Sequence, residues 1–377
     1  MGATKKIVVS FMLLVYFEKT VFAKTKVQLV NNFMYQKGHG GKQVTDGSGD
    51  QSLTIYEPIL YIDSQVGKNT NIFGGALVDL WSSASEAIFD SSTGASAGAS
   101  ATPERHIQKR IGFNFGVSQE MGTWTLTPRM GYSNEFDYKS YNGGINIAKS
   151  FAQDNFTVSL GYSIYIDSTH PFDVAASQFT AWRSKNTHTL DLSATQILSP
   201  SDIILVGYSF TDQTGFLSGT QGSVDINGTR VSEVLPALRL RQAATLRYIH
   251  AFTDSLATHF DYRFYLDNWG MQAHTFEPSL YLSFAEDAGF VKFFYRFYLQ
   301  NAAKYYQDNF SAAQQYMTSD SDLAKFNSNE GGAMVAYNWD LKKSFIKSIN
   351  VNGTGLHYRR SNDLQGTIFQ LGIGGSF

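Results

Sequence analysis

The chain has 377 residues, with 30 Lys and Arg against 32 Asp and Glu, a formal net charge of −2. It has no cysteine, which excludes a disulfide framework and a thiolate metal site, and it has no basic block that would indicate a nucleic-acid partner. Charged residues make up only 16%, aromatics reach 15% and mean hydropathy is −0.20. These values exclude a helical membrane protein but not a barrel, in which one face of each strand meets lipid.

The N-terminus reads as an export signal. Lys5 and Lys6 precede an apolar run from Ile7 to Phe17, and Val21, Phe22 and Ala23 supply a signal-peptidase site. The expectation is a signal peptide over 1–23, cleaved after Ala23. The alternative, an uncleaved anchor, is short for a span of about 20 residues. Past residue 23 no stretch approaches the ~18 apolar residues of a membrane helix. Membrane residence therefore requires a closed barrel.

Period-two alternation then dominates, predicting sixteen strands (within 14–18) over 27–35, 53–63, 71–81, 107–119, 123–136, 142–152, 156–167, 187–198, 202–213, 238–252, 255–268, 272–284, 289–301, 331–341, 347–359 and 366–377. In 156–166, Phe156, Val158, Leu160, Tyr162, Ile164 and Ile166 share one face. In 256–267, Leu256, Phe260, Tyr262, Phe264 and Leu266 oppose His259, Asp261, Arg263, Tyr265 and Asp267. Many of these segments exceed the 5–6 residues usual in globular sheets and match the ~9–11 of a tilted membrane strand.

Short turns are expected at Gln153-Asp154-Asn155, Ser199-Pro200-Ser201, Phe252-Thr253-Asp254 and Glu286-Asp287-Ala288-Gly289. Longer loops are expected near 37–51, 82–105, 168–186, 214–237 and 302–329. The long/short rhythm is that of a barrel with short periplasmic turns and long outer loops. The small-residue tract at 82–105 reads as a flexible loop; this tract or the 302–329 loop is a candidate plug. Asn142-Gly143-Gly144 predicts a tight hairpin turn. Trp124, Trp182, Trp269, Trp339, Tyr281 and Tyr337 are candidates for interface girdles. The fold class is thus all-β: a transmembrane antiparallel β-barrel of about 16 strands over 24–377, with no second domain.

In the last strand Phe369, Leu371, Ile373 and Phe377 alternate onto one face and end on an aromatic. This pattern resembles the signal read by the barrel-assembly machinery, which makes that machinery and outer-membrane lipid the expected partners.

Several stretches resemble a family of Gram-negative outer-membrane proteins known by the domain-of-unknown-function number three-five-seven-zero. They are Val78 to Ser85, Thr93 to Ser96, Glu104-Arg105, Phe260 to Gly270, His274 to Pro278, and Phe294 to Tyr298 with Gln300, Ala302, Tyr305 and Tyr306. The resemblance implies an outer-membrane barrel and implies no reaction.

The most interesting constellation is charged: Arg247, then Asp261, Arg263 and Asp267 on the next strand, Glu277 on the third and Arg296 on the fourth. Neighbouring strands lie about 4.8 Å apart, so these groups either brace a narrow interior or line a pore whose charges sort ions. His259 shares the inward face with Asp261 while His274 faces outward, so a metal site is not indicated. Asp167, Ser168 and His170 match a hydrolase trio in composition only. Asp46, Ser48, Asp50, Ser52, Thr54 and Glu57 follow the oxygen spacing of a calcium loop, but Gln51 stands where glycine belongs. No catalytic residue, metal or cofactor is assigned. The expected function is a porin-like channel for small solutes or an envelope transport or assembly component; the alternatives are a lipid-modifying barrel enzyme and a surface structural or interaction protein.

Overall fold

The fold is that of a computed structural model, which describes residues 22–38, 52–82, 107–341 and 345–377. The signal segment up to residue 21, the calcium-like stretch at 46–51 and the small-residue tract at 83–106 lie outside them.

The first seven strands are β1 (Phe22–Gly38), β2 (Leu53–Val66), β3 (Thr70–Ser82), β4 (Ile107–Met121), β5 (Trp124–Asn134), β6 (Tyr138–Phe151) and β7 (Phe156–Thr169). A two-stranded ribbon follows, β8 (Phe172–Asp173) and β9 (Gln178–Phe179), then β10 (Arg183–Ser199) and β11 (Asp202–Gly215). A second ribbon, β12 (Ser223–Ile226) and β13 (Thr229–Ser232), precedes β14 (Leu238–Thr253), β15 (Leu256–Asp267), β16 (Gln272–Phe284) and β17 (Gly289–Gln300). The 3₁₀ turn Ser321–Leu323 leads to β18 (Phe326–Asp340), β19 (Ser348–Arg360) and β20 (Leu364–Ser376).

All strands except the two ribbons pair antiparallel with their sequence neighbours, and β1 pairs with β20 from Lys26↔Ser376 to Gly38↔Leu364. The sheet is therefore a closed sixteen-stranded barrel without a free edge. Barrel strands of 11 to 17 residues are long enough to cross a bilayer at a tilt.

Alternation sorts the faces. Outward side chains include Phe33, Phe113, Phe115, Leu160, Ile166, Leu192, Phe293 and Phe369, all exposed although large and apolar. So broad an apolar belt is costly against water and favourable against acyl chains. Inward stand hydroxyls, amides and charges, paired across strands as in Asn146–Ser159 at 2.8 Å and Thr189–Thr211 at 3.0 Å.

The short turns 152–155 and 285–288 share one construction. Ala152, Gln153 and Asp154 have φ of 50°, 57° and 67°, and Ala285, Glu286 and Asp287 have 52°, 53° and 65°. Left-handed backbone matches the right-handed strand twist in a tight hairpin. Both turns, with the chain end at Phe377, lie at the end opposite the loops 170–182, 216–237 and 301–325. The long-loop end is the outer one by the barrel rule.

Two expectations are corrected. Asn142-Gly143-Gly144 is no turn; it lies inside β6, and the turn falls at 135–137, where the Glu135 N–H bonds the Tyr138 carbonyl at 2.7 Å. The glycine is needed because a Cβ on Gly144 would sit 2.8 Å from the Tyr162 oxygen and 3.1 Å from Arg129 Nε. Of the girdle candidates, Trp124, Trp339 and Tyr337 do face outward near the short-turn end. Tyr281 faces the lumen, its ring tilted against His259 at 4.2 Å, and Trp269 is 2% exposed inside the outer loops.

Candidate functional site: the lumen and its outer mouth

All six lumen-charge candidates point inward, and strand register brings them into contact. Arg247 and Asp261 are paired residues of β14 and β15, joined at 2.5 Å. Arg296 on β17 stands between two carboxylates, 3.9 Å from Glu277 on β16 and 4.0 Å from Glu330 on β18. Asp267 accepts from the buried Arg239 at 2.7 Å, from the Tyr265 hydroxyl at 2.8 Å and from the Met271 N–H at 3.0 Å.

Arg263 differs. It projects into the lumen between Thr245 and Thr275, and makes no ion pair among the described residues. Arg129 is equally exposed, placed in register between Gly116 and Gly144.

Charges overlooked at the sequence level complete the wall. Arg110 on β4 binds Asp79 on β3 at 2.5 Å and approaches Glu57 on β2 at 3.7 Å; Asn32 on β1 donates to Glu57 at 2.6 Å. Lys185 stands 4.0 Å from Asp167, which also accepts from the Tyr138 hydroxyl at 2.6 Å. The strand parity that placed Asp261 and Arg263 would have placed Arg129 as well, in the run Thr125, Thr127, Arg129, Ser133. Arg110 was hidden because its partner lies across a loop of more than twenty residues.

The wall is electrically uneven. Around the ring β3 is third and β15 eleventh, so they stand half a circumference apart. The inner face of β1–β4 carries Glu57, Asp63, Asp79 and Glu120 against Lys24, Lys26 and Arg110, while that of β14–β15 carries Arg239, Arg241, Arg247 and Arg263 against Asp261 and Asp267.

The outer loops fold over the mouth and root in the lumen wall. Gln300 Nε2 donates to the carbonyls of Asp322 at 2.8 Å and Ala324 at 2.6 Å. Arg360, buried and stacked on Phe326 at 3.8 Å, donates to Asp322 Oδ1 and to the Ser321 carbonyl, each at 2.5 Å. Trp269, Met271, Ala303 and Leu323 make an apolar nucleus against the lumen-facing Tyr265. A second nucleus joins Val224, Phe310 and Met317. Of the 302–329 candidate, residues 302–325 pack at the mouth on the β15–β19 side, while 326–329 belong to β18.

Two carboxyls, Asp137 and Glu233, are buried in this cap, and a third, Asp320, is half-buried. Burial, with Asp322 and Glu233 nearby, pushes Asp320 up to about 8. Burial also raises Glu233, although the Thr318 hydroxyl donates to it at 2.5 Å and the Gly219 N–H at 2.8 Å. Asp137 is raised to about 6, again mainly by burial, against the 2.9 Å bond from the Thr220 hydroxyl.

The hydrolase-like trio does not assemble. Asp167 faces the lumen, Ser168 faces outward, and His170 is stacked between Phe179 at 4.8 Å and Trp182 at 4.7 Å. His259 lies inward and His274 outward, bonded to the Tyr262 hydroxyl at 2.8 Å. Among the described residues no three metal-ligating side chains converge.

The family model for a protein of unknown function, DUF3570, matches residues 49–377. The chain belongs to the DUF3570 family. A comparison with curated proteins finds no match. Among solved structures the chain is similar to OpdK of Pseudomonas aeruginosa in complex with vanillate, at 7% identity and a TM-score of 0.46, covering 95% of this chain and 100% of that one. It is also similar to a bacterial polysaccharide outer-membrane secretin at 11% identity and 0.49, and to a BenF-like porin of Pseudomonas fluorescens Pf-5 at 8% and 0.45, each with 95% and 100% coverage. At such identities the likeness is one of barrel architecture.

Proposed function

We propose that this DUF3570 member is an outer-membrane channel that passes small polar solutes through a charged lumen partly roofed by the 301–325 loop. The observation that carries the reading is Arg263, an exposed, unpaired guanidinium aimed into the bore of a closed sixteen-stranded barrel. A lumen built only for bracing pairs its charges, because a cation facing its own like neighbours destabilises the wall. Sixteen strands enclose room for an aqueous path. The paired set, Arg247–Asp261, Arg239–Asp267 and Arg296 with its two glutamates, fixes the wall on which Arg263 stands. Bracing and ion sorting are then two roles of one wall.

In this reading no residue acts as a catalyst, outer-membrane lipid surrounds the barrel, and the signal peptide removed after Ala23 exports it. Phe369, Leu371 and Ile373 form an outward stripe of the closing strand, and the Phe377 N–H bonds the Thr25 carbonyl at 2.8 Å. These four are the proposed signal to the barrel-assembly machinery.

The test is conductance of the purified chain in a planar bilayer. Discrete steps with a salt-dependent reversal potential are expected; their absence at every voltage in both the full chain and one lacking residues 306–319 sinks the channel reading.

A further inference from the structure

We propose that the outward face at the barrel's closing seam is a docking site for the phosphorylated headgroup of an outer-leaflet lipid. The register fixes the arrangement row by row. Lys37 on β1 and Arg359 on β19 stand opposite the same residue of β20, Gln365, one on each side. Strands about 4.8 Å apart put the two cations on backbones roughly 10 Å from each other, a gap that long side chains close around one phosphate.

The next row toward the membrane holds Tyr35, Thr367 and His357, with His357 Nδ1 3.0 Å from Thr367 Oγ1. The row after that is apolar, with Phe33 at 49% and Phe369 at 60% exposure. Cations, then hydrogen-bonding groups, then aromatic rings in three successive rows match a ligand with an anionic head, a polar neck and an apolar tail. Lys325, exposed just before β18, adds a third cation to the rim.

None of the three cations has a hydrogen bond or ion pair among the described residues, and the one carboxylate in the adjoining turn is Asp363, in the left-handed conformation with φ of 65°. Other outward rows at the outer end hold single cations, Lys139 on β6 opposite Ser168 and Lys109 on β4 opposite Leu80, whereas at the seam two cations flank one residue. Long outer loops place the seam patch at the headgroup level of the outer leaflet, where Lys and Arg gain from anionic lipid.

The test uses the full chain purified in a zwitterionic detergent, with bound lipid counted by native mass spectrometry. The probes are a bisphosphorylated lipid A, its dephosphorylated form and phosphatidylethanolamine. The expected result is retention of the bisphosphorylated lipid at least tenfold above the other two, its loss in K37E/R359E, and its survival in K37R/R359K. Heat-modifiable migration reports whether each variant is folded, and K37A/R359A replaces the reversal should it fail to fold. Equal retention by the folded charge-removed variant overturns the proposal. So does equal retention of the dephosphorylated lipid, or an equal loss in K149E at the opposite rim. The readout does not depend on conductance, so a closed lumen would leave it standing.

Discussion

Arg239 on β14 reaches diagonally to Asp267 on β15 and holds it at 2.7 Å, with both residues under 9% exposed. The arginine also lies 4.3 Å over the Trp269 ring, and the Trp269 N–H bonds the Leu238 carbonyl at 3.0 Å. One pair thus ties the lumen wall to the roof. Asp267→Ala leaves a buried guanidinium without its counter-ion, a loss of about 3–5 kcal/mol for a pair of this kind. The guanidinium midpoint of the detergent-folded barrel, followed by tryptophan fluorescence, is expected to fall. Arg247→Ala, at a pair half open to lumen water, is expected to cost under about 1 kcal/mol. Equal costs would contradict this assignment of buried and wet pairs.

Arg263 sets the sign of the lumen in the channel reading. Arg263→Glu is expected to move the reversal potential toward cations under a salt gradient, with Arg263→Ala between it and the native chain. Unit conductance should change less than selectivity, because Thr245 and Thr275 keep the bore in shape. A reversal potential identical in all three chains would remove Arg263 from the ion path.

Cap stability should fall with rising pH. An unfolded aspartate titrates near 3.9, whereas Asp320 in the cap does so at about 8. The folded cap therefore holds a proton that the opened cap releases, and this contribution is fully present below about pH 4 and gone above about pH 8. Asp137, raised to about 6, adds the same sign over a narrower window. Amide exchange of 316–324, corrected for intrinsic rates, should report more frequent opening at pH 8.5 than at pH 5.5. Asp320→Asn keeps an acceptor for the Asp322 N–H, bonded at 2.8 Å, and should flatten the dependence.

On the outer surface, Leu371→Arg puts a charge at mid-strand on the lipid side, where Leu371 is 56% exposed. The expected loss is about 2–4 kcal/mol. Thr354→Arg, on the lumen side two strands from β1, should cost far less. A reversed order would mean that the faces have been assigned backwards.

Phe377→Ala removes the ring that packs on Phe345 at 5.3 Å. The fraction of chain reaching the heat-modifiable form in cells should drop, with little change in the unfolding midpoint of what does assemble. An unchanged yield would show that the terminal aromatic is dispensable for assembly.

The barrel was legible from the sequence because lipid outside and water inside impose opposite demands on successive residues. The 156–166 and 256–267 runs therefore state their faces outright, and the six lumen charges follow by parity. The outer cap was not legible. Its ribbons are only two and four residues long, and Leu323 or Met317 finds its apolar partners through contacts that no local period announces. Trp269 was misplaced for the same reason: an aromatic beside a strand end suits a headgroup belt and a loop nucleus equally well. The Asn-Gly-Gly of β6 misled because glycine serves turns and close strand packing alike, and the approach of the Tyr162 carbonyl and of Arg129 decides between them.

The pairing of β1 with β20 has a kinetic side. Lys26 meets Ser376 across almost the whole chain, so the last hydrogen-bond ladder waits for the last residues to arrive. Until then the sheet has two bare edges and an apolar outer belt with no lipid beside it. Contacts so distant in sequence form slowly because loop closure precedes their reward. The β1–β20 ladder is thus the lock of the barrel, and removing β20 would leave β1 and β19 as open edges.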